Sequence, residues 1–197
     1  MLRLPLYMDW VPVLAGAYLL ARSCRALLDR SNCYWPPESR DGATYAAFIW
    51  PFRVLVGGLI VVSLLAIPEV APGIASSRFW VGGILLILGF GIALLATLQL
   101  GWSVAFGEDG PLKERGWFRF SRNPIYLSTW AGLAGWAILT PKPEILTALA
   151  LWAAVYLCGI FLEERALARS FGTKFAAYKV RTARFLGWAR AEETHGA

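Results

Sequence analysis

The chain has 197 residues, 57% of them hydrophobic and only 16% charged, with ten Trp, a mean hydropathy of +0.52 and a formal net charge of +6. That balance excludes a water-soluble domain of this length. With no nucleic-acid-binding motif present, the positive charge reads as attraction to anionic lipid headgroups.

Five stretches are apolar enough to cross a bilayer: residues 9–28, 47–70, 79–104, 124–140 and 144–161, each close to the about 20 residues a spanning helix needs. Arg3 precedes the first, and no small-residue cleavage site follows it, so it reads as a retained helix. Pro36-Pro37 with Glu38, Arg40 and Asp41 ends the first connection, Pro68, Pro72 and Gly73 turn the second, and Pro141 and Pro143 tighten the fourth. Beyond the last span, Leu167, Phe171-Gly172, Phe175 and Tyr178 predict a short amphipathic helix, a glycine break and a second helix, together a cap over residues 162–190. The expected fold is all-α: a single polytopic membrane domain over residues 1–197, with about five transmembrane helices and a cytosolic C-terminal helical cap.

Basic residues set the orientation. Arg22, Arg25, Arg30 and Arg40 lie in or beside the first connection. Lys113, Arg115, Arg119 and Arg122 lie in the third, and Arg165, Arg169, Lys174, Lys179, Arg181, Arg184 and Arg190 in the tail. The opposite side holds only Arg3, Arg78 and Lys142, which places the N-terminus outside and the C-terminus in the cytosol. Cys24, Cys33 and Cys158 have no metal-ligand spacing and the sole histidine is His195, so no metal site and no Ser-His-Asp triad is expected. The cysteines read as reduced, small hydrophobes.

Three polar or small-residue elements interrupt the apolar spans. Gly89-Phe90-Gly91 in the third span is followed by Gln99, Leu100, Gly101 and Trp102; its two glycines point about 200° apart around a helix, so they serve either helix packing or close approach to a ligand on different faces. The run from Gly116 to Tyr126 sets Arg119 and Arg122 against hydrocarbon. Asn123 stands there as a helix cap and Pro124 as the first helical residue; the segment reads either as a receptor for a carboxylate or phosphate or as cytosolic flanking charge with Trp117, Phe118 and Tyr126 as interface anchors. Glu163-Glu164 ends the fifth span; adjacent acids diverge by about 100°, so one faces the bundle and needs a cationic partner or ligand.

In this order the elements resemble the isoprenylcysteine carboxyl methyltransferase and phospholipid methyltransferase superfamily of integral-membrane enzymes. Gly89-Phe90-Gly91 stands for its glycine-rich span. Gly116-Trp117-Phe118 with Arg122-Asn123-Pro124-Ile125-Tyr126 stands for its GpY and RHPxY or NPMY segment, and Glu163-Glu164, Leu167, Phe171-Gly172 and Tyr178 for its EE region. The resemblance runs from about Phe79 to Leu186 and implies S-adenosylmethionine as cofactor. The implied cofactor site comprises Gly89, Gly91, Gln99, Gly116, Trp117, Arg119, Arg122, Asn123, Pro124, Tyr126, Glu163 and Glu164. Asn123, Arg122, Tyr126 and Arg53 are the candidates at the reacting centre, and Trp102 and Trp117 are further candidates for aromatic walls. Asn123 replaces the histidine of the prenylcysteine branch, so any role needing imidazole is absent. The expected acceptor is a lipophilic or lipid-modified molecule: a prenylcysteine-like carboxylate, a phospholipid amine or a small thiol. Two rival readings are an NADPH-dependent sterol or lipid reductase of related fold and a non-enzymatic membrane scaffold. Oligomeric state is not legible.

Overall fold

A computed structural model describes residues 8–29, 34–37, 42–108 and 110–187. Arg3, Arg30, Cys33, Glu38, Arg40, Asp41, Arg190 and His195, singled out above, lie outside these. The chain forms helices α1 (Val11–Leu28), α2 (Ala43–Val70), α3 (Ser77–Leu100), the short α4 (Trp102–Ala105), α5 (Pro124–Leu139) and α6 (Pro143–Arg181). Four stretches, Met8–Leu28, Ala43–Val70, Ser77–Leu100 and Pro143–Arg181, are long and apolar enough to cross a membrane. The chain is an all-α, polytopic integral membrane protein. With 16 residues, α5 is ~24 Å long at 1.5 Å per residue, shorter than a ~30 Å hydrocarbon core, and its buried Gly132, Leu133 and Gly135 pack inside the bundle.

Close approaches fix the helix directions. Pro12 meets Gly58 and Gly16 meets Leu55, so α1 and α2 run antiparallel. Gly82 meets Leu139 and Gly89 meets Gly132, which makes α3 and α5 antiparallel as well. Gly16 also meets Leu151, and Cys24 Sγ lies 4.0 Å from Cys158 Sγ, so α1 and α6 run parallel. The end of α1, start of α2, end of α3, start of α5 and the Glu163 region of α6 therefore gather at one end of the bundle. Among the described residues this end carries most of the basic side chains, while Arg78 and Lys142 sit at the other.

Backbone groups freed inside an apolar solvent must find partners. Pro51, within α2, lacks an N–H for the Ala47 carbonyl, which accepts instead from the Tyr34 hydroxyl at 3.5 Å. Arg165 donates to the carbonyls of Ala26 and Leu27 at 3.2 and 3.0 Å, closing the end of α1. Arg78 does the same for Ile138 near the end of α5, at 2.9 Å. Leucines, isoleucines and valines on the outer faces of α2 and α3, such as Leu64, Ile87 and Leu98, are exposed and suited to lipid contact.

Two expected boundaries shift. The third span stops at Leu100 rather than residue 104, because Gly101 takes φ +105 and turns the chain into α4. The fifth span and the first cap helix are one continuous helix, since no helix breaker stands between Phe161 and Phe171. The glycine break falls at Gly172, with φ +49 and ψ −118.

Candidate active site

At the charged end lies a cavity of about 320 Å³, within the size range of small-molecule sites. The connection between α1 and α2 supplies Trp35, and the start of α2 supplies Phe48 and Phe52. The end of α3 and the following loop contribute Leu100, Val104, Phe106 and Lys113. Arg122, Asn123, Ile125 and Tyr126 come from the start of α5, and Tyr156, Gly159, Glu163, Glu164 and Phe171 from α6. Phe175 and Tyr178, beyond the Gly172 kink, complete the wall.

The two acids stand in different surroundings. Glu164 is embedded between arginines: its Oε2 accepts from Arg184 Nε at 3.0 Å and Nη2 at 2.8 Å, and its Oε1 lies 3.0 Å from Arg122 Nη2. Glu163 has no cationic side chain in salt-bridge range among the described residues. Its Oε1 accepts from Trp35 Nε1 at 2.8 Å and from the Tyr126 hydroxyl at 2.5 Å. A half-buried carboxylate without a countercharge is costly, so such a group in a cavity is suited to a cationic ligand.

Arg122 holds the complementary position. Its backbone N–H donates to the Ala183 carbonyl at 3.0 Å and its Nη1 to the Lys179 carbonyl at 3.4 Å, which fixes the guanidinium under the end of α6. Its Nε is buried with no acceptor, and Glu164 Oε1 lacks a hydrogen bond of good geometry. The Arg122–Glu164–Arg184 cluster carries one excess positive charge. With Arg122 in the cavity lining, that excess charge suits an anionic group such as a carboxylate.

The segment after α6 straps this site together. Arg184's carbonyl accepts from Asn123 Nδ2 at 3.0 Å and Ser121 Oγ at 3.2 Å, and the Gly187 N–H donates to the Phe120 carbonyl at 3.3 Å. The Tyr178 hydroxyl donates to the Phe118 carbonyl at 2.6 Å.

Of the residues expected at the site, Arg122, Asn123, Tyr126, Glu163 and Glu164 meet in this cavity. The others are placed elsewhere. Gly89 is used for packing: a Cβ there would collide with the Gly132 backbone of α5. Gly91 faces open space, with nothing within 4 Å of a Cβ, and neither glycine lines the cavity. Gln99 pins the loop to α3, donating to the Arg115 carbonyl and accepting from the Trp117 N–H, both at 3.1 Å. With Gly116, Trp117 and Arg119 it borders a separate surface depression. Arg119 lies over the Phe120 ring, 4.5 Å from its centroid. Arg53 points outward over Trp50, 5.0 Å from the ring centroid, as a side chain snorkelling to the interface does. Trp102 is exposed and, like Trp117, is not an aromatic wall of the cavity. Pro124 starts α5 and is buried there, and Asn123 holds the N-cap position without a side-chain cap, since its amide is engaged by Arg184.

Trp35, Phe48, Phe52, Tyr156 and Arg184 were missed. The aromatic residues carry no mark in a chain this rich in them, and Arg184 reads as one of many tail charges. Only tertiary contact distinguishes them.

The fold is that of a polytopic helical membrane protein with a charged cavity at one end of its bundle. The family model for phospholipid methyltransferase matches residues 77–174, about half of the chain, and by that segment the protein belongs to this family and is a membrane methyltransferase. No curated protein and no solved structure matches it.

Proposed function

We propose that the protein transfers a methyl group from S-adenosylmethionine to a lipophilic acceptor, and that the charged end of the bundle faces the cytosol. The observation that carries this reading is Glu163, a half-buried carboxylate with no cationic partner among the described residues, which lines the same cavity as Arg122. An α-amino-acid head, with its ammonium and carboxylate on one carbon, and a sulfonium a few bonds farther along suit that pair. When bound, the cofactor supplies the electrophilic methyl carbon.

The chain's own residues do the rest. Glu163 holds positive charge, while Trp35, Phe48, Tyr126 and Tyr156 surround it with rings whose faces favour a cation. Arg122 anchors the carboxylate. Asn123, held by Arg184, fixes the start of α5, and so the Tyr126 hydroxyl, beside Glu163. The positioning and exclusion of water are the protein's main contribution to an in-line displacement. α2 packs chiefly on α1 and α3 chiefly on α5, and the cavity lies between Phe48 and Phe52 of α2 and Leu100 of α3. That seam gives an acceptor lateral entry from the bilayer. Basic residues concentrated at this end support its cytosolic placement.

The test is methyl transfer itself. Protein in lipid nanodiscs is given methyl-labelled cofactor with phospholipid amines, prenylated cysteine and small thiols as acceptors. Label in a lipid-extractable product is expected. No label in any acceptor, together with NADPH-dependent reduction of an unsaturated lipid, would contradict the proposal in favour of a reductase.

A further inference from the structure

We infer that Trp35 is a positioning residue for Glu163: its indole N–H engages one carboxylate oxygen and so leaves the other to the cavity. The inference rests on the function proposed above for its consequence, but its geometry stands alone. Trp35 Nε1 donates at 2.8 Å to the same Oε1 that accepts the Tyr126 hydroxyl at 2.5 Å. A carboxylate oxygen has about two lone-pair sites, so Oε1 is filled by these two donors and Oε2 is the oxygen left for a ligand.

The indole is itself held. Its ring packs on Phe48 with centroids 4.3 Å apart and planes at 32°. Two residues on, Pro37 rests against Gly107 in the loop after α4, where any Cβ would collide with the Pro37 ring. Trp35 therefore reaches Glu163 from a clamped connection rather than as a free side chain. It lies outside the family-matching residues 77–174, so the region before that segment supplies part of the site's polar geometry.

The experiment compares wild type, Trp35→Phe, Glu163→Gln and the double variant for binding of S-adenosylhomocysteine by calorimetry, with thermal unfolding measured alongside. Phe keeps the ring and loses the donor. Trp35→Phe is expected to weaken binding about tenfold, the worth of one charge-assisted hydrogen bond, with an unchanged unfolding midpoint. In the Glu163→Gln background the same change is expected to add less than about twofold, because residues acting through one group are coupled. An equal penalty in both backgrounds, or none in either, overturns the inference. If Trp35→Phe does not fold, the Trp35 indole N–H proton resonance of the otherwise unaltered protein is followed instead. Glu163→Gln must shift it, and an unmoved resonance overturns the inference. Wild-type protein that binds no S-adenosylhomocysteine sinks the proposed function instead, while the resonance still decides the role of Trp35.

Discussion

The α3–α5 contact and the acid pair of α6 both lie in the family-matching half of the chain, and the resemblance assigns both to the cofactor. The structure treats them differently. Along α3–α5, Gly82, Gly89, Gly132 and Gly135 let two backbones approach closely, and Gly89 has no room left for a ligand. Around Glu164, midway along α6, an ion cluster leaves a buried guanidinium nitrogen unsatisfied, and the neighbouring Glu163 carboxylate has no cationic partner among the described residues. Helices in lipid lack a hydrophobic drive to associate, so small residues there serve close packing. Unbalanced charge has no such packing use, and it marks a ligand site more specifically than glycine does.

Substitutions that strike the ion cluster break this contrast hardest. Glu164→Ala leaves Arg122 and Arg184 facing each other without their shared acid, and a loss of about 3 kcal/mol is expected, at the low end for a broken buried pair because the Arg184 side chain is 39% exposed. Thermal unfolding in detergent measures it. A near-neutral result would show the cluster to be peripheral. Next in size is Gly89→Ala, expected to cost about 1–3 kcal/mol by forcing α3 off α5, whereas Gly91→Ala, with open space around it, should be neutral or slightly stabilising. Equal effects at the two glycines would undo the assignment of Gly89 to packing.

The smallest effect lies at the opposite end of the bundle. Lys142 Nζ sits 2.7 Å from Glu69 Oε2, and the hydrogen bond to Glu69 raises the lysine pKa above its ordinary 10.5. Because the folded-state value is the higher one, the contribution is fully present below pH 10.5 and is lost as pH rises through the raised pKa. For so solvated a pair it amounts to a few tenths of a kcal/mol and weakens with salt. The difference in unfolding midpoint between wild type and Glu69→Gln should shrink on that alkaline limb. A difference that grows there would contradict the pairing.

Much of this was legible in the chain. Apolar runs punctuated by Pro72, Pro141 and Pro143 mark the helix ends, and Gly172 marks the kink, because lipid-length helices and their breakers depend on local composition; Pro68, expected in the second turn, lies inside α2, which runs on to Val70. The continuity of α6 past Glu163 was not legible, because acids at a helix end look the same whether the helix stops or runs on. At the site, Arg122, Asn123, Tyr126, Glu163 and Glu164 stood out as polar groups pressed against hydrocarbon. Trp35 and Arg184 did not, since each acquires meaning only through partners more than 100 residues away for Trp35 and 20 for Arg184. Arg53 and Arg119 show the converse, since charge near the interface stands out in the chain yet lies outside the cavity, over the rings of Trp50 and Phe120.

We propose that Glu163 meets the positive charge of a methyl-donor cofactor. Equilibrium binding of S-adenosylmethionine and of NADPH to purified wild type and Glu163→Gln tests it most directly. Saturable binding of S-adenosylmethionine but not NADPH is expected, weakened about 10–100-fold by Glu163→Gln with no loss of thermal stability. Unchanged S-adenosylmethionine affinity in a folded Glu163→Gln protein would contradict it.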